Sequence, residues 1–128
     1  EENKRVVQQF YQAGNQGDMD TCFGLVAEDI RWTNMGTTSL SGSYEGKAEL
    51  MEKLIGPLFG RLKQGIHMDI KLLVAEGDHV VAVTSGTSET LDGRPYNNSY
   101  CWVIRIKDGK LAEVTEYSDT ELITEVFG

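Results

Sequence analysis

The chain is 128 residues long, 40% hydrophobic and 25% charged, enough for one domain over residues 1–128 with its own core and no need of disulfide or metal staples. Its 12 Lys and Arg against 20 Asp and Glu give a net charge of −8, a field that repels a phosphate backbone and an anionic bilayer, so neither nucleic acid nor a membrane is an expected partner. No apolar run approaches the roughly 20 residues of a membrane span, and no secretory leader is legible.

Residues 3–16 carry Val6, Val7, Phe10, Tyr11 and Ala13 on one stripe, which predicts an amphipathic helix stopped by Gly17. Asp18 is a good N-cap for a second, shorter helix with Met19, Cys22, Phe23 and Val26 facing in. From Asp29 to Met35 apolar and polar residues alternate, which predicts a strand. Residues 36–46 have loop chemistry. A third helix is expected from Lys47 to Ile55, broken by Gly56-Pro57, with Leu58 and Phe59 closing the core on a further turn.

The period then changes to two. Ile66, Met68, Ile70, Leu72 and Val74 share one strand face; Val81, Val83, Ser85 and Thr87 share a face of the next strand. Tyr96, Asn98, Tyr100, Trp102, Ile104 and Ile106 share a face of a third, long strand. Asp108-Gly109 suits a type I′ hairpin, the last strand runs to Tyr117, and Ser118-Asp119-Thr120-Glu121 has the spacing of a capping box that opens a C-terminal helix.

Helices on one face of an antiparallel sheet define the α+β class. A curved antiparallel sheet wrapped by three helices around a pocket makes a cone-shaped α+β barrel. Its inner faces bring Trp32, Asn34, Ser85, Asn98, Tyr100, Trp102 and Glu116 into one region. A structural core favours Leu, Ile, Val and Phe there, whereas an apolar wall with a few convergent polar groups is how small-molecule sites are built. The alternative is that these groups satisfy one another, or that a one-residue slip turns them to solvent.

Val6-Val7-Gln8-Gln9-Phe10 with Gly17-Asp18, Ala27-Glu28-Asp29-Ile30-Arg31-Trp32, Tyr44-Glu45-Gly46-Lys47, Asp92-Gly93-Arg94-Pro95-Tyr96, Asp108-Gly109-Lys110-Leu111 and Glu116-Tyr117-Ser118-Asp119 occur in this order. The set resembles the SnoaL-like and ketosteroid-isomerase-like proteins of the nuclear transport factor 2-like superfamily over nearly the whole chain. The resemblance implies the cone fold and a homodimer through the outer sheet face. It matches Phe10, Asn34 and Trp102 to the tyrosine, general-base aspartate and second acid of steroid isomerases, and none of the three can do that work. Limonene-epoxide hydrolases resemble the chain around Trp32-Thr33-Asn34-Met35. There Asn34 matches the water-holding Asn, Trp32 replaces a Tyr, Val83 and Ser85 stand for the Arg and first Asp, and Glu116 stands for the second Asp.

SnoaL-like cyclases close a polyketide ring with a pocket carboxylate and no cofactor, and Glu116 is the remaining inward carboxylate here. Burial among Trp32, Tyr100 and Trp102 raises the pKa of such a group. Glu116 is equally readable as a structural carboxylate satisfied by Asn34 or a tyrosine.

The expected catalytic residues are Glu116 and Asn34. Trp32, Tyr100, Trp102, Ser85, Asn98 and Phe10 are the expected substrate contacts, and Phe10, Trp32 and Trp102 are its apolar walls. The expected ligand is a small hydrophobic molecule bearing a carbonyl or hydroxyl.

His67 and His79 lie on different elements without ligand spacing, so no metal is expected. The 14 glycines form no phosphate loop, so no nucleotide cofactor is expected either. Two cysteines, Cys22 and Cys101, are too few for a disulfide framework and read as buried thiols of a cytoplasmic protein; the sequon Asn97-Asn98-Ser99 is then fortuitous. Two further readings compete with a cofactor-free acid/base enzyme. One is a non-catalytic ligand-binding module; the other is an interaction protein with a filled interior.

Overall fold

Val6, Val7, Phe10, Tyr11 and Ala13 form the buried stripe of helix α1 (Glu2–Asn15) in the computed structural model, which describes every residue, Glu1–Gly128. Gly17 takes a φ of 77° beyond the helix end. Asp18 then caps α2 (Met19–Gly24) by accepting from the Thr21 N–H at 3.2 Å, a bond that holds its carboxyl below the usual range.

Strand β1 (Val26–Asn34) starts three residues before the predicted Asp29, with a register shift between Val26 and Arg31. β2 (Gly42–Glu45) pairs with it inside the stretch read as loop. Gly, Ser and Glu give such a segment little strand propensity of its own. It is a strand because β1 offers it an open edge.

The third helix does not break at Gly56-Pro57. α3 (Lys47–Leu50) passes into a π-helical turn (Met51–Ile55) and then α4 (Gly56–Phe59). The Gly56 N–H reaches back five residues to the Met51 carbonyl. Pro57, which has no N–H to donate, thereby falls in the opening turn of the next helical segment, where that donor is dispensable.

Strands β3 (His67–Glu76), β4 (His79–Thr87), β5 (Ser99–Lys107) and β6 (Lys110–Ser118) follow as a meander, and α5 (Thr120–Phe127) ends the chain. The six-stranded open sheet has the order β2-β1-β6-β5-β4-β3. All pairs are antiparallel except β1 with β6, which is parallel, so the sheet is mixed where a purely antiparallel one was expected. Residues 35–109 separate those two strands, long enough for the crossover a parallel pair requires. α1 lies against β3 and β4, and α2 and α3 against β1, on the concave face.

Two strand registers and one helix cap differ from expectation. On β4 the buried residues are Val80, Ala82 and Thr84, with Gly86, so Val81, Val83 and Ser85 face outward. Both faces of β4 are apolar, which leaves period two unable to choose between them. On β3 the ladder shifts between Ile70 and Leu72. Met68 faces in before the shift and Leu73 and Ala75 after it, which leaves Leu72 and Val74 about half exposed on the outside. At the C-terminus, Asp119 caps α5 by accepting from the Leu122 N–H at 3.3 Å, while Ser118 is the last residue of β6.

The Asp108-Gly109 turn has φ of 54° and 74°, both positive as type I′ requires, and it pairs Lys107 with Lys110. Cys22 is buried and Cys101 half-buried on the outer face. No helix is long and apolar enough to cross a membrane.

Candidate functional site

Asn34, Glu116 and Trp102 stand side by side on β1, β6 and β5, because the ladder pairs Asn34 with Glu116 and Glu116 with Trp102. All three face the concave side. Phe10 and Tyr11 come down on them from α1, Cys22 and Phe23 from α2, Leu54 and Ile55 from the π-helical turn, and Ile123 from α5. These elements enclose a cavity of about 90 Å³. Its lining contains one acid, Glu116, and no Lys, Arg or His.

Glu116 Oε1 accepts from the indole N–H of Trp32 at 2.7 Å, the one hydrogen bond its carboxyl makes. Loss of hydration lifts the carboxyl pKa to about 7, against the smaller downward pull of the Trp32 bond. The structural partner is thus Trp32, not Asn34 or a tyrosine. The other indole, Trp102, donates to Thr84 Oγ1 at 3.0 Å. The Tyr100 hydroxyl donates to the Tyr96 oxygen at 3.2 Å. Three buried polar atoms have no partner at all: the Tyr11 hydroxyl, Asn34 Oδ1 and Ser118 Oγ. All three residues line this one cavity. Orphaned groups of this kind are rare in folded proteins and call for an explanation.

Six of the eight residues predicted for the site, Glu116, Asn34, Trp32, Tyr100, Trp102 and Phe10, line the cavity. Ser85 does not: it lies on the outer face of β4, paired with Asp69 and Ser99, and Thr84 holds the inward position. Asn98 is buried but turned to another task. Its Nδ2 donates to the Tyr96 hydroxyl and the Asp119 carbonyl, and its Oδ1 accepts from the Ser99 and Asp119 N–H groups, so it ties the start of β5 to the cap of α5. With its bonding capacity used in the fold, Asn98 has none for a substrate.

The sequence reading missed Tyr11, Thr84, Tyr96 and Ser118. Tyr11 was counted only as part of an apolar stripe, although a tyrosine there carries a hydroxyl into whatever the helix covers. The resemblance had set Phe10 at the isomerase tyrosine; Tyr11, one residue on, brings a phenol to the same cavity. Burial lifts the Tyr11 and Tyr100 hydroxyls well above their ordinary pKa and the Cys22 thiol to about 12, so all three are neutral at physiological pH. His67 and His79 are half exposed beside Asp69 and Asp78, and neither lines the cavity. No group of three or more His, Cys, Asp or Glu converges anywhere in the structure.

An open, curved six-stranded sheet wrapped by helices around a mixed cavity defines the nuclear transport factor 2-like class of α+β cone folds. A model of the SnoaL-like domain matches residues 7–114, and the chain belongs to that family. No curated protein matches it in sequence. Among solved structures it is similar to an NTF2-like protein of unknown function from Burkholderia pseudomallei, with 19% identity over 98% of this chain and 97% of that one and a TM-score of 0.86. It is also similar to TerC co-crystallized with polyporic acid, with 21% identity, 98% of both chains covered and a TM-score of 0.83. A third similar structure is an LEH-like epoxide hydrolase of M. tuberculosis, with 21% identity over 97% of this chain and 87% of that one and a TM-score of 0.78.

Proposed function

We propose that this SnoaL-like protein is a cofactor-free acid/base enzyme acting on a small hydrophobic molecule that carries a carbonyl or hydroxyl. The observation that carries the reading is Glu116. It is a buried carboxyl in an apolar cavity, held by one indole N–H and otherwise unpaired. A carboxyl poised at about 7 exists in both protonation states near neutral pH, as a group that takes and returns a proton must. Asn34 Oδ1 and the Tyr11 and Ser118 hydroxyls supply the orienting hydrogen bonds, and Phe10, Trp32, Tyr100 and Trp102 the walls. The orphaned state of those three oxygens supports this, since a substrate satisfies them and the fold does not.

The steroid-isomerase and limonene-epoxide-hydrolase routes lack support. Asn34 is an amide where a base is needed, and the inward positions of β4 are Val80, Ala82 and Thr84, with no charge among them. A non-catalytic ligand-binding role is the outcome left if Glu116 proves idle.

The outer face exposes Leu72, Val74 and Tyr117 beside Val81, Val83 and Val103. We assign that face to a second copy of the chain, because an isologous pair covers a continuous apolar sheet that a monomer leaves wet. Free Cys22 and Cys101 suit a reducing, cytoplasmic setting.

The test uses ring opening of 5-nitrobenzisoxazole, in which a base removes the ring C–H proton and the N–O bond breaks to give a coloured phenolate. Wild type should accelerate it with a rate that climbs through about pH 7, and Glu116→Gln should lose about a hundredfold. Equal rates in the two proteins contradict the assignment.

A further inference from the structure

We infer that the ligand of this cavity carries a protonated amine or quaternary ammonium on an apolar body. Three independent features of the lining meet in that chemistry. First, Phe10, Tyr11, Trp102 and Trp32 form a chain of rings whose successive centroids lie 5.3, 5.4 and 5.6 Å apart at interplanar angles of 71°, 81° and 85°. Rings set near right angles act as adjoining walls, and the electron-rich faces of such walls attract an organic cation.

Second, the only charge the lining can carry is negative. Glu116 has no Lys, Arg or His near it in the cavity, and a buried carboxylate is ordinarily paired. The titratable groups that face it are Tyr11 from α1, Tyr44 from β2, and Tyr96 and Tyr100 at β5, with Cys22 of α2 beyond Tyr11. All of these are neutral at physiological pH, because burial raises every one of them, so none competes with a ligand for the carboxylate. The rest of the enclosure, from the π-helical turn, α4 and α5, is Leu54, Ile55, Leu58 and Ile123.

Third, the strongest fixed donors are already spent. Both indole N–H groups and the Tyr100 hydroxyl donate within the protein. An anionic ligand would find no cation and only the Tyr11 and Ser118 hydroxyls as free donors, beside a carboxylate that repels it, whereas an ammonium N–H finds Asn34 Oδ1 and Glu116 as acceptors. The protein's net charge of −8 acts in the same sense on the approach. The inference rests on the cavity being the ligand site, and is independent of whether Glu116 moves a proton in a reaction.

Trp32 and Trp102 are the chain's two tryptophans and both line the cavity, so intrinsic fluorescence reads its occupancy directly. Benzylamine, benzyl alcohol and benzoate share a ring and differ in charge. Titrated into the full chain at about pH 8, benzylamine should bind about tenfold or more tighter than benzyl alcohol, and benzoate weakest. The preference should shrink toward about pH 5.5, where Glu116 is protonated, and the Kd ratio should fall severalfold in Glu116→Gln, where only the aromatic faces still favour the cation. The pH series on wild type serves as the test should the variant fold poorly.

A ratio near one in wild type at high pH, or a preference undiminished in the Gln variant, overturns the inference. In the first of these outcomes, binding of benzyl alcohol leaves the acid/base reading standing. If none of the three binds, the cavity is not the ligand site, and both fall together.

Discussion

Moving Glu116 from water into a cavity walled by aromatic rings strips solvation from its charged form, and a single indole N–H restores only part of it. This has a thermodynamic consequence. Between 4.5 and about 7 the native state holds a proton that the unfolded chain has released. The native protein is therefore favoured fully below pH 4.5, and that contribution is lost as the pH rises through about 7. At about 1.4 kcal/mol per pH unit the loss comes to about 3 kcal/mol. Urea unfolding at a series of pH values should show wild type losing that amount against Glu116→Gln, and parallel curves would contradict the shifted titration.

The orphaned hydroxyls make the opposite kind of prediction. Tyr11→Phe removes a buried donor that bonds to nothing, so it should be neutral or raise stability by about 1 kcal/mol while weakening ligand binding. A loss of stability in chemical denaturation would show that the hydroxyl has a structural partner. Five of the site residues could be read from the sequence because Trp, Tyr, Asn and Glu at inward strand positions are conspicuous against Val and Ile, and a sixth, Phe10, from the apolar stripe of α1. Ser85 was misplaced for the converse reason: Val81 and Val83 are as apolar as Val80 and Ala82, and nothing local marks which row is inside.

At the scale of elements, the cap of α5 is tied to the sheet by one side chain outside it. Asn98 makes four hydrogen bonds, three of them to the helix cap at Asp119 and to Tyr96. The helix adds the edge-on packing of Phe127 against Tyr96 and the Arg61 guanidinium 4.9 Å over the Phe127 ring. Asn98→Ala leaves part-buried backbone groups of Ser99 and Asp119 unpaired and should cost about 2 kcal/mol. Hydrogen exchange should show α5 loosened ahead of the sheet. Uniform exchange across both would mean that Asn98 is not the anchor.

Helix α1, the hairpin at Asp108-Gly109 and the meander were legible because each is written in local periodicity or turn chemistry. β2, the π-helical turn and the bulge in β3 were not. An edge strand of Gly, Ser, Tyr and Glu exists by virtue of its neighbour, and a ladder shift is fixed by the partner strand.

For the molecule as a whole, the helices cover the concave face and leave the other bare. Leu72 at 53% and Val74 at 50% exposure continue into Val81, Val83 and Val103 across neighbouring strands. Light scattering behind a sizing column should find a dimer, and Val83→Lys should convert it to a monomer without changing the benzylamine titration. A wild-type monomer at micromolar concentration would contradict the assignment of that face.

The central claim is that a carboxyl sealed among aromatic walls is ready to exchange a proton at neutral pH. Its most direct test is the titration of the Glu116 side-chain carboxyl carbon by NMR in the intact chain, assigned with Glu116→Gln. A midpoint near 7 is the predicted result; a midpoint at the ordinary 4.5 would mean a hydrated carboxylate and would contradict the account.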